Sequence, residues 1–331
     1  MRITRRAFGR VMASSFVLAP AASRAAGRSE AEYPVRPVSL IVPVGAGGGP
    51  DVIARIVADR LGKVWHQQLI LLNRPGAGGL IALQAAAGVA PDGYSLYMPL
   101  SSTYCVLPQT HPHLPLVLDR DLVPIGVLGE QPMVIAVNPK LGVDSLAGLI
   151  ALAKKRPGEI LYGANLGGLP NLTGELLQQR AGFKLRLVPY SSTVKALQDT
   201  AGGTGQVAIE SLSGLGSLIQ GGMLRPLAVA SAKRLTNYPD LPTVAEAVPS
   251  VGTFEARGWF ALTAPAGTPE PLVHKINADL RTALGDAELQ KKFASLGTYP
   301  TPMSSDETAA FIRGEQNLWR PVVRKVLLAQ P

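Results

Sequence analysis

Val38-Ser39-Leu40-Ile41-Val42-Pro43-Val44-Gly45-Ala46-Gly47-Gly48-Gly49-Pro50-Asp51 decides the reading: an apolar, β-branched run closed by proline, then a cluster of glycines. The run from Val38 to Val44 reads as a buried strand bounded by turn residues. From Asp51 to Leu61, Val52, Ile53, Ile56, Val57 and Leu61 recur at helical spacing. The same order then repeats. Gln68 to Leu72 is a second strand, Asn73-Arg74-Pro75-Gly76-Ala77-Gly78-Gly79 a second glycine loop, and an Ala-rich helix follows to about Gly88.

Further strands are predicted at Tyr94 to Leu100, Met133 to Val137, Leu187 to Tyr190, Gln206 to Ile209 and Arg225 to Ala230, with a helix over Ser145 to Lys155. Strands alternating with helices imply α/β layers with mainly parallel sheets. No repeat of fixed period is visible.

Each glycine loop places small residues at a helix N-terminus, where four backbone N–H groups lack partners inside the helix. Glycine admits unusual dihedrals and close approach of a ligand. The helix dipole adds roughly 0.3–1 kcal/mol per favourable anion contact, and a charge-assisted hydrogen bond roughly 1.5–3 kcal/mol. Two such termini in one cleft can hold a carboxylate without Lys or Arg. A dinucleotide fingerprint is a poor match. Pro50 stands where a third small residue is needed, and Val64 to Gly78 contains no acid for a ribose. No Gly-Lys-Ser/Thr follows either cluster, which removes the phosphate-loop reading.

The chain has 331 residues, 47% of them hydrophobic and 17% charged, with 35 Gly and 28 Pro: a globular composition long enough for two lobes. Its net charge of +9 is concentrated at one end. Six of the 32 basic residues lie in residues 1–28, which hold no acid, leaving 26 bases against 23 acids elsewhere. With aromatics at 5%, nucleic acid is not an expected partner. Residues 1–28 combine Arg5-Arg6 and Phe8, an apolar run from Val11 to Ala22, and small residues around Ala19-Pro20-Ala21. This order reads as a cleaved signal peptide of the twin-arginine type and implies a periplasmic destination. Gly9 replaces the leucine usual in such signals and leaves the general secretory route open. Cys105 is the single cysteine, so no internal disulfide can form, and it reads as a small buried residue.

Catalytic motifs are thin. Ser192-Thr193-Val194-Lys195 has Ser-x-x-Lys spacing but no Lys-Thr-Gly partner, and His111-Pro112-His113 reads as an exposed loop, so no metal or cofactor is expected. Glu210, after the apolar Val207-Ala208-Ile209, ends a strand either at a cleft or in solvent.

Several stretches together resemble the substrate-binding proteins of tripartite tricarboxylate transporters, the Bug-type receptors. They are Gly47-Gly48-Gly49-Pro50-Asp51, Asn73 to Gly79, Pro91-Asp92-Gly93-Tyr94, Val188-Pro189-Tyr190, Leu224 to Val229, Leu241 to Ala247 and Ala264 to Pro269. The resemblance runs in order along the whole mature chain. It implies a type II-like periplasmic-binding-protein fold, two α/β lobes joined by crossing strands with a ligand cleft between them. The expected division is 33–132 plus 256–331 for one lobe and 133–255 for the other, with crossings near Pro132 and Arg257-Gly258-Trp259. It also implies ligand-binding positions at Ala46, Gly47, Gly48, Asp51, Ala77, Gly78 and Ser101, and in the second lobe at Ala164, Asn165, Gly167, Tyr190 and Glu210.

In that second lobe the chain departs from the family. Gly163 to Asn171 lacks the usual serines and histidine, Ser191-Ser192-Thr193 replaces Lys-Gly-Gly, and Glu210 stands for Asp. The implied function is capture of a small carboxylate-bearing solute by a monomeric receptor for the membrane components of a tripartite transporter. A ligand sensor for a membrane histidine kinase, or an α/β enzyme, are the alternatives.

Overall fold

The computed structural model describes residues 32–328 except Pro112, Pro115 and Ser191, so the expected signal peptide lies outside the described residues. The strands are β1 (Val38–Val42), β2 (Leu69–Asn73), β3 (Ser95–Tyr97), β4 (Leu122–Val137), β5 (Leu161–Ala164), β6 (Arg186–Pro189), β7 (Val207–Ser211), β8 (Arg225–Val229) and β9 (Arg257–Pro265). Their spatial order is β2-β1-β3-β9-β4-β7-β5-β6, with β8 also on β4. The longer helices are α1 (Gly49–Trp65), α2 (Leu80–Ala87), α4 (Leu146–Lys155), α5 (Leu169–Ala181), α6 (Thr193–Gly202), α7 (Leu212–Gln220), α8 (Glu270–Leu284), α9 (Ala287–Ser295) and α10 (Ser305–Leu328), and a short α3 spans Ser101–Cys105.

β4 makes two lobes from one chain. Its first part, to Pro132, pairs with β9 and so belongs with β1, β2 and β3. From Met133 onward it pairs with β7, and from Val134 with β8. The apolar pattern predicts only Met133 to Val137, because Pro124, Gly126, Gly129 and Pro132 interrupt it upstream. The structure absorbs them as register shifts between Pro124 and Gly126 and between Val127 and Gly129. Both glycines are needed for close packing. A Cβ at Gly126 would lie 2.7 Å from Leu280, and one at Gly129 2.9 Å from Thr298.

Alternate residues of the strands bury on opposite faces, as period 2 requires. Leu40 and Val42 face a first-lobe core with Ile53, Val57 and Leu61 of α1 and Ile276 and Leu280 of α8. Val134 and Ala136 face a second-lobe core with Leu197 and Leu215. The remaining core is shared. Ile41, Leu83 and Tyr97 of the first lobe belong to one cluster with Ile135, Tyr162 and Ile209 of the second, together with Ile312, Trp319, Val323 and Val326 of α10. Buried Cys105 lies in that cluster, and burial pushes its thiol pKa up.

At the crossing, Arg257 pairs with three carboxylates from different segments: Glu130 of β4 at 3.2 Å, Glu315 of α10 at 3.3 Å, and Glu255. Glu315 also accepts the indole N–H groups of Trp259 and Trp319, each at 3.2 Å. Burial raises the pKa of Glu130 and Glu315 against the pull of Arg257.

Candidate functional site

Strand polarity brings two sets of loops together. β1, β2 and β3 are mutually parallel, β9 is antiparallel to β3, and β4 is antiparallel to β9. The first three strands therefore point the way β4 runs, toward the second lobe. There β7 is antiparallel to β4, and β5 and β6 are parallel to β7 and β5 respectively. These point back toward the first lobe. The carboxyl ends of both sets thus face the crossing at Pro132 and Met133, the position where open α/β sheets bind ligands.

After β1, Gly47 has φ +83° and Gly48 caps α1 in an extended conformation. The Gly48 N–H turns back to the Gly45 carbonyl at 3.3 Å. The Gly47 N–H donates to Asp51 Oδ2 at 2.8 Å. Asp51 is fully buried, and its carboxylate also accepts from Arg55 Nε at 2.8 Å and from Asn73 Nδ2 at 2.8 Å. Burial would raise its pKa, but the hydrogen bonds from Arg55, Asn73 and Gly47 hold it below the ordinary value. Asp51, expected among the ligand-binding positions, has its carboxylate engaged by Gly47, Arg55 and Asn73 and so holds the loop in shape. The N–H groups of Gly47 and Gly48 are thus both engaged within the loop. Among the described residues, the N–H groups of Ala46 and Gly49 take no partner.

The second loop is reached through the same clamp. Asn73 ends β2 and its Nδ2 also bonds the Val44 carbonyl at 2.9 Å. Gly76, Ala77, Gly78 and Gly79 then take successive positive φ of 126°, 47°, 64° and 102°. Ala77 and Gly78 keep their N–H groups without a partner among the described residues, while the Gly79 N–H closes onto Gly76. Ser101 follows β3 and is half-buried beside β9, whose Ala261 donates to the Pro99 carbonyl at 3.2 Å.

The second lobe repeats the first loop. After β5, Gly167 has φ +73° and its N–H donates to Asn171 Oδ1 at 3.0 Å. Gly168 caps α5, and its N–H returns to the Asn165 carbonyl at 3.0 Å. Gly167-Gly168-Leu169-Pro170-Asn171 therefore matches Gly47-Gly48-Gly49-Pro50-Asp51 in sequence and in hydrogen bonding. Asn171 is not among the expected positions; the shared Gly-Gly-x-Pro-Asx order is the signal that marks it. A Cβ placed on Gly45, Gly47, Gly49 or Gly167 meets no atom within 4 Å, so both loops border open space.

The remaining expected positions divide. Asn165 lies at the strand end, its Oδ1 accepting from Thr193 Oγ1 at 2.8 Å. Ala164 is buried in the shared core and cannot face a ligand with its methyl group. Tyr190 packs over Gly163, and its hydroxyl is committed to Asp199 at 2.9 Å. Glu210 is one residue from the end of β7, opposite Val134. Its Oε1 accepts from the Ser211 N–H at 2.8 Å and the Ser211 hydroxyl at 3.1 Å. Burial raises its pKa against these bonds. A surface concavity of about 850 Å³ lies elsewhere, against α1 and the outer edge of β2 near Lys63 and Ile70, and holds none of these groups.

The chain is similar to known proteins along most of its length. A family model described as the tripartite tricarboxylate transporter family receptor matches residues 53–328. Protein BugT of Bordetella pertussis is 37% identical over 318 residues, 96% of this chain and 97% of that protein. A solved R. palustris protein with adipate superposes with a TM-score of 0.75 at 32% identity, covering 89% of this chain and 98% of its own. MatC from Rhodopseudomonas palustris with bound malate gives 0.70 at 26% identity, covering 88% and 100%. The two-lobed α/β architecture is that of periplasmic binding proteins, and the chain belongs to the family of tripartite tricarboxylate transporter receptors.

Proposed function

We propose that this chain is exported to the periplasm, loses residues 1 to about 28, and works as a monomer that captures a small carboxylate for the membrane components of a tripartite transporter. The observation that carries this reading is the opposition of two sets of strand ends bordered by glycine loops, with N–H groups at Ala46, Gly49, Ala77 and Gly78 uncommitted. Such donors at helix starts favour an anion. The adipate and malate bound to two solved relatives support a carboxylate. We place one lobe at 33–132 plus 256–331 and the other at 133–255, hinged where β4 and β9 cross, with α10 reaching from the first lobe onto the shared core.

A thermal-shift panel of mono-, di- and tricarboxylates tests the reading, since a ligand at 100-fold saturation stabilises the native state by about 2.7 kcal/mol. Gly78→Val is the matching variant. A side chain at φ +64° is strained by roughly 1–2 kcal/mol, but a Cβ there meets nothing closer than Leu107 at 3.9 Å. The variant should fold and lose the ligand-induced shift. A variant that keeps the full shift removes this loop from the site.

A further inference from the structure

We propose that the second lobe selects against a second carboxylate and favours a monocarboxylate with an apolar body whose far end is neutral or an ammonium group, with Glu210 as the specificity-determining residue. This rests on the strand-end cleft being the binding site.

Three observations carry it. Glu210 and Ser211 pair with Val134 and Met133, immediately past Pro132, so the carboxyl sits on the strand nearest the crossing rather than at an outer edge. The helix after it is shaped around that side chain, since a Cβ at Gly214 would fall 2.7 Å from Glu210 Cγ. The carboxylate has no cationic partner among the described residues: both of its donors are on Ser211 and both reach Oε1, leaving Oε2 unpaired. Lys195, on the helix α6 that also carries Val194, is tied to Asp199 at 2.6 Å.

The same rim is apolar. Leu166 is 48% exposed and Val194 64% exposed, and each is the chain neighbour of one member of the Thr193–Asn165 hydrogen bond. The first lobe presents neutral N–H donors and the exposed Arg74 beside its second loop. One end of the cleft therefore suits a carboxylate and its far lip suits hydrocarbon, while Glu210 stands at the end of the strand beside the crossing with Oε2 uncommitted. A second carboxylate brought there meets a like charge in a partly desolvated setting, whereas an ammonium or a neutral donor meets an acceptor.

Hexanoate, 6-aminohexanoate and adipate form a matched set differing at one end, with butyrate, 4-aminobutyrate and succinate as the shorter set. Titration calorimetry near neutral pH should rank 6-aminohexanoate and hexanoate at least tenfold tighter than adipate, or the same order in the shorter set. Glu210→Gln should narrow the gap between the amino acid and the diacid by about tenfold, weakening the first and tightening the second. Gly78→Val should weaken all members alike. Tightest binding of the diacid by the unaltered protein, or an unchanged ranking in Glu210→Gln, overturns the proposal. Reordering by Glu210→Gln with no effect of Gly78→Val would leave the selectivity standing and sink the first-lobe cradle. Binding of none of the six overturns both.

Discussion

The loops after β1 and β5 have the same backbone and different chemistry behind it. In each, a glycine at positive φ sends its N–H to the side chain four residues on, and the next glycine starts a helix. In the first lobe the acceptor is the Asp51 carboxylate, saturated by Arg55 and Asn73. In the second it is the Asn171 amide, whose Nδ2 donates to the Tyr162 hydroxyl at 3.0 Å. The loop conformation thus requires an acceptor at that position, not a charge. The charge has a separate use: it recruits Asn73, which joins the first glycine loop to the strand leading into the second. One clamp holds two loops in the first lobe, while the clamp of the second lobe holds one.

The largest break should come from Asp51→Ala. It leaves the Gly47 N–H without an acceptor, reduces the Asn73 amide to its bond with the Val44 carbonyl and frees Arg55, at a cost of about 3 kcal/mol. Urea unfolding should show it, and a loss below about 1 kcal/mol would mean the clamp is not what holds the loop. Asp51 has a depressed pKa, so its contribution is present above the ordinary value of 3.8 and fades as pH falls through the folded-state value.

Exchanging chemistries gives the next effect. Asn171→Asp puts a carboxyl at a position 1% exposed with no Lys or Arg bonded to it. Its pKa should rise, so the variant should match the parent in acid and lose about 2 kcal/mol as pH climbs through the raised value. The sign is opposite to that for Asp51. Stability of Asn171→Asp that does not fall as pH rises would show a cationic or donor partner for the second-lobe clamp.

The smallest effect tests the equivalence itself. Gly47→Ala and Gly167→Ala each add a methyl group in open space at φ +83° and +73°. Each should cost about 1 kcal/mol through backbone strain alone. Thermal melts differing by more than that between the two variants would show that the loops are not held alike.

Much of the first lobe was legible because its strands end in glycine clusters visible as composition. β4 was legible only past Met133, since bulges and close helix contacts put Pro and Gly where a regular strand would have apolar residues. The role of Asp51 is not legible in the sequence for a physical reason. An acid after a glycine loop has the same sequence signature whether it faces a ligand or the backbone N–H of its own loop. The face of Ala164 is set by the pleat, which the sequence does not display: neighbouring Gly163 lies under Tyr190, on the opposite face of β5 from the core that buries the Ala164 methyl group. The Asn171 clamp was hidden because Leu169 replaces a glycine, which masks the match with residues 47–51.

The position of α10 in the chain has a consequence for synthesis. Its buried face, Ile312 to Val326, completes a core to which both lobes contribute, and it is made after almost everything it packs against. Until residues 312–326 have been made, apolar side chains of both lobes stay uncovered, so closure of that core comes late in synthesis and engages the two lobes together.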